Sequence, residues 1–85
     1  MESIHVLRRL ADHIKEDPSF HPRSSHRTTR WHVYVVGRDW EFLCTGPKFW
    51  DVRMGRGGGG AIDLVIHLYT IKFKAATALL KERGV

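Results

Sequence analysis

The sequence predicts an α+β domain in which a small three-stranded antiparallel sheet is preceded by one helix and followed by two. Apolar residues recur at helical spacing near both ends, and the middle alternates apolar and polar residues in runs broken by short glycine-containing turns. A length of 85 residues, 42% of them hydrophobic and three of them Trp, gives one domain with a modest core. A large enzyme with its own cofactor domain is excluded, and disorder along most of the chain is disfavoured.

Ile4, Leu7, Leu10, Ala11 and Ile14 lie at helical spacing with Ser3 as the N-cap, which predicts an N-terminal helix over residues 1–17, ending before Pro18. Residues 18–30 contain Pro18 and Pro22 and no acidic side chain, and read as a basic loop. The sheet is predicted over residues 31–52. Trp31, Val33 and Val35 alternate with His32, Tyr34 and Val36; a turn at Gly37 leads to a second run over residues 40–45, and Gly46-Pro47 leads to a third from Lys48 to Val52. Residues 53–60 form a glycine-rich joint. Residues 61–84 form a helical hairpin, with Ile62, Leu64, Val65 and Leu68 on its first helix, Phe73, Ala76, Leu79 and Leu80 on its second, and Gly84 as the stop.

The formal net charge of +5 is concentrated in three blocks: residues 20–30 (+3), 46–58 (+2) and 72–85 (+3). Such blocks favour a polyanionic partner, nucleic acid before membrane. No apolar run is long enough to span a bilayer and the first residues are charged, so the expected setting is cytoplasmic with no membrane partner. The single Cys excludes an internal disulfide and agrees with a reducing compartment.

The block Trp40 to Leu80 resembles the second half of the zinc-ribbon domain at the front of bacterial primases, and still more a primase-related domain of plasmids and integrative elements. The residues that carry the likeness are Phe42-Leu43-Cys44, the joint Gly55 to Gly60, the helix opening Ala61-Ile62-Asp63, and Ile71-Lys72-Phe73 with Ala76 and Leu79-Leu80. The resemblance implies a zinc-ribbon-like sheet, DNA binding, and work beside the primase or replication machinery of a mobile element. The family's ribbon takes four ligands from an early Cys-x-x-His and a late Cys-x-x-Cys. Here only Cys44 stands in a matching neighbourhood, followed by Thr45-Gly46-Pro47, and His21, His26 and His32 are dispersed. The expectation is a degenerate zinc finger that has lost its metal and holds no cofactor, with Trp31, Phe42, Phe49 and Trp50 supplying stability instead.

Single-stranded nucleic acid is bound by aromatic faces that stack bases and by cations that track phosphates. Tyr34, Trp40 and Trp50 are the aromatics expected to be exposed, with Arg38, Lys48 and Arg53 close in sequence and Arg23, Arg27 and Arg30 on the basic loop. Gly57, Gly58, Gly59 and Gly60, flanked by Arg53 and Arg56, have two readings: a backbone anion site at a helix start, or a close strand-to-helix crossing that excludes a Cβ. The run lacks the Gly-Lys-Ser/Thr of a P-loop and the βαβ setting of a dinucleotide fingerprint, so neither an ATPase nor a dehydrogenase is supported. The histidines are scattered, His67 reads as a surface or capping residue, and no carboxylates fall at a catalytic spacing. No enzyme and no small-molecule substrate are expected. The favoured reading is a non-catalytic module binding nucleic acid, single-stranded DNA first. The rival is a protein-interaction module that docks on a replication or conjugation partner.

Overall fold

A computed structural model describes residues 1–21 and 27–85. Among them the order is α1 (Ser3–Leu10), β1 (His13–Glu16), β2 (Thr28–Val35), β3 (Arg38–Thr45), β4 (Lys48–Asp51), β5 (Arg56–Gly58), α2 (Ala61–Tyr69) and α3 (Phe73–Glu82). The strands form one antiparallel meander in sequence order. The α+β class holds, and the sheet has five strands where three were expected.

Both additional strands lie at the edges, each in a segment that the sequence assigns to something else. The N-terminal helix ends at Leu10, not near residue 17, because Ile14 satisfies a strand pattern as well as a helical one. In β1 it sits opposite Val33 and packs against the core, while His13 and Lys15 turn outward. Hydrogen bonds from Asp12 N–H to Tyr34 O and from Asp17 N–H to Arg30 O, both 2.8 Å, flank this ladder. At the other edge, part of the glycine-rich joint becomes β5, with Trp50 opposite Gly57 and Phe49 opposite Gly58. A Cβ on Gly57 would lie 2.5 Å from Phe49 O and 2.8 Å from Trp50 Cε3, and one on Gly58 would lie 2.7 Å from the Phe49 ring. These two glycines are required by close approach, not by positive φ.

The β2–β3 hairpin turns through Val36 and Gly37, both at positive φ (56° and 70°), the conformation that a two-residue turn needs to match strand twist. The turn therefore starts β3 earlier than predicted, at Arg38, and β2 also begins earlier, at Thr28, which pairs with Thr45 at the far end of the hairpin. One sheet face supplies Trp31, Val33, Val35, Trp40, Phe42, Cys44 and Phe49 to a single core with Val6, Leu7 and Leu10 of α1, Leu64, Val65 and Leu68 of α2, and Ala76 and Leu80 of α3. All three helices therefore cover the same face.

Ser3 is not the N-cap. That position is Glu2, and the Ser3 hydroxyl lies within hydrogen-bond reach of Gly46 O (3.1 Å) and Lys48 O (2.9 Å), tying α1 to the β3–β4 turn. Phe73 departs from its predicted apolar role: as the first residue of α3 it stands 65% exposed, and the helix meets the core only from Ala76 onward.

Candidate nucleic-acid interface

Strand alternation sends a second set of side chains to the face that no helix covers. His13 and Lys15 come from β1, Arg30, His32 and Tyr34 from β2, Asp39, Glu41, Leu43 and Thr45 from β3, and Lys48 and Trp50 from β4. Tyr34 is 38% exposed and Trp50 47%. Four residues along β3 and one strand to either side separate them, so the register sets their Cα atoms about 16 Å apart. Leu43 lies between Arg30 and Trp50 across the strands, and Thr28, Leu43, Thr45, Lys48 and Trp50 line a hollow of about 480 Å³ on this face.

Glu41 is the electrostatic centre of the face. It is buried and contacts the Arg30 guanidinium, with Arg53 Nε at 3.9 Å and His32 Nδ1 at 3.8 Å. Arg53 also donates to Asp39 O at 3.3 Å. Asp17 lies 3.9 Å from Arg30; the Ser19 hydroxyl and amide, and after them the Arg30 charge, hold its carboxyl below the ordinary range. One buried carboxylate thus gathers two arginines, while Lys15 and Lys48 stand exposed on either side.

The structure therefore brings together Arg30, Tyr34, Lys48, Trp50 and Arg53. It separates others from them. Trp40 is 6% exposed, not a surface aromatic: its Nε1 donates to Val35 O at 3.0 Å and its ring stacks on Phe42 at 5.9 Å. Its position fixes Arg38, whose guanidinium lies 4.8 Å from the Trp40 ring on the helix-covered side. Arg27 lines a hollow beside α1 with Arg8, Glu16 and Trp31. Arg23 and His26 lie outside the described residues. Arg56 stands at the β5 edge, facing α2. Gly59 N–H donates to Asp63 Oδ2 at 3.3 Å, so a carboxylate of the protein already approaches that amide. Gly60 is the N-cap of α2.

Sequence reasoning missed three features. Lys15 and His13 are hidden in it because their segment reads as helix. The third is a polar pair sixteen residues apart: His67 Nε2 lies 2.6 Å from Asp51 Oδ2, and Asp51 is 1% exposed. His67 is not a surface residue. Its ring packs against those of Trp40, Phe42 and Phe49 at 5.6–6.0 Å, and the other Asp51 oxygen accepts Arg53 N–H and Met54 N–H at 3.0 Å each.

The chain matches no family model, no curated protein and no solved structure. Among the described residues no three His, Cys, Asp or Glu side chains converge as a metal site. Cys44 is buried in the core, and burial pushes its thiol pKa up, opposed by a hydrogen bond with Ser3. Among the same residues no helix is long and apolar enough to cross a membrane.

Proposed function

We propose that this chain is a non-catalytic nucleic-acid-binding module that lays a single strand, DNA first, across the helix-free face of its sheet. The observation that carries the reading is the pairing on that face of two exposed aromatics, Tyr34 and Trp50, with Lys15, Lys48 and Arg53 around them. A base stacked on such a ring contributes about 1–3 kcal/mol, and every base has a face to offer, so the contact tolerates sequence. A duplex keeps its bases stacked on one another and offers these rings nothing comparable. The buried Glu41 anchors Arg30 and Arg53 in place; Lys15 and Lys48 are exposed, form no ion pair among the described residues, and are the cations for phosphates.

The cytoplasmic setting and the link to primase and replication in a mobile element rest on composition and on the likeness of the Trp40 to Leu80 block. The competing reading, a protein-interaction module, draws on Phe73, which no core contact explains. A salt-titrated binding assay against single-stranded DNA, duplex DNA and RNA separates the two. The module should prefer single strands, with log affinity falling against log salt by about 0.7 for each phosphate contact. Absence of salt-dependent binding to all three would leave protein docking as the function.

A further inference from the structure

The helix-free face does not end in a wall at β5. On the far side of that strand, between β4–β5 and the helices, lies an open groove of about 840 Å³. Phe49, Trp50, Gly57 and Gly58 border both this groove and the hollow on the open face. The strand between them carries glycine at two of its three positions, so no side chain there bars the way from one to the other. Trp50 lies across Gly57 at the crossing.

The groove combines three kinds of group. Trp50, Phe49 and Ile66 give it apolar walls, and Arg56 and Lys72 are exposed at its rim. His67 supplies a polar group whose orientation is fixed by Asp51. Asp51 Oδ1 accepts from the Arg53 and Met54 N–H groups and its Oδ2 lies 2.6 Å from His67 Nε2, so both partners of the pair are held in place. The acid at the groove, Asp63, accepts from Gly59 N–H. Apolar walls, one oriented polar group and two rim cations suit a nucleotide unit, and the volume falls in the range of a small-ligand site.

We infer that this groove is a second nucleotide subsite, reached by the same single strand as it passes over the Gly57–Gly58 edge: the next base packs against Trp50 within reach of His67, and Arg56 and Lys72 take its phosphates. The inference rests on the nucleic-acid reading of the open face and adds a path to it.

The test compares two fluorescent oligothymidylates, one just long enough to reach from Tyr34 to Trp50 and one about twice as long, against the whole chain and two variants. In Arg56→Gln/Lys72→Gln only exposed charges are altered, and circular dichroism checks that the fold is kept. Tyr34→Ala perturbs the open face alone. The longer strand should bind the unaltered chain about tenfold more tightly than the shorter one. The Gln variant should lose that gain with the shorter strand's affinity unchanged, and the Tyr34→Ala variant should weaken both strands. The His67 ring resonances should move only with the longer strand. A short strand that binds with no gain on lengthening, or a gain that survives the Gln variant, overturns the groove and leaves the open face standing. Failure of both strands to bind overturns both.

Discussion

Gly57→Ala is the sharpest perturbation available to this fold, because the residue is constrained by neighbours that differ in their ability to yield. The new methyl would sit 2.5 Å from Phe49 O, a backbone atom in the β4–β5 ladder, and 2.8 Å from Trp50 Cε3. The indole can turn aside, but the carbonyl cannot without moving one strand away from the other. Overpacking of this kind costs about 1–3 kcal/mol, which in a domain of this size lowers Tm by roughly 5–20 °C. Gly59→Ala is the control: nothing lies within 4 Å of its added Cβ and its φ is not positive, so its melting point should stay near that of the unaltered chain or rise slightly. Thermal melts by circular dichroism read both, and Trp fluorescence reports displacement of the Trp50 ring. If Gly57→Ala melts like the parent, or Gly59→Ala is the worse of the two, the pairing of Trp50 with Gly57 is wrong.

Asp51→Ala should cost roughly 3 kcal/mol or more in urea denaturation, because it strands two backbone N–H groups and the His67 ring in a buried setting. A cycle of Asp51→Asn with His67→Gln should give a coupling of about 1 kcal/mol or more, and additivity would mean the pair does not interact in solution. Cys44 should resist thiol reagents at mildly alkaline pH until the chain unfolds, since burial raises its pKa. The stability tied to that neutral thiol is intact below the unfolded pKa near 9.0 and is lost as pH rises toward the higher folded value. Rapid labelling of the native protein would place Cys44 outside the core.

The central hairpin, β4 and both C-terminal helices are legible in the sequence because their period and turn chemistry agree: Val33 and Val35 alternate, Gly46 turns, and Leu64, Val65 and Leu68 recur at helical spacing. The two edge strands are not legible, for opposite reasons. In β1 the apolar residue Ile14 serves a helix and a strand equally, and only the β2 partner decides. In β5 glycine carries no strand propensity, and the strand exists because its neighbours leave room for nothing larger. The aromatics show the same limit. Alternation allows Trp31 and Tyr34 either face of the sheet, and Trp40 reads as a surface aromatic although the register puts it opposite Val33 in the core. The Asp51–His67 pair joins β4 to α2, a contact that no local pattern announces.

The most direct measurement of the central account is chemical-shift mapping of single-stranded DNA onto the ¹⁵N-labelled chain at low salt. The account predicts that the Trp50 indole N–H and the amides of Lys15, His32, Tyr34, Leu43 and Lys48 shift together, while the Trp40 indole N–H, held by Val35 O beneath the helices, does not. Shifts confined to α1 and the Arg27 side of the sheet, with the Trp50 indole unmoved, would contradict it.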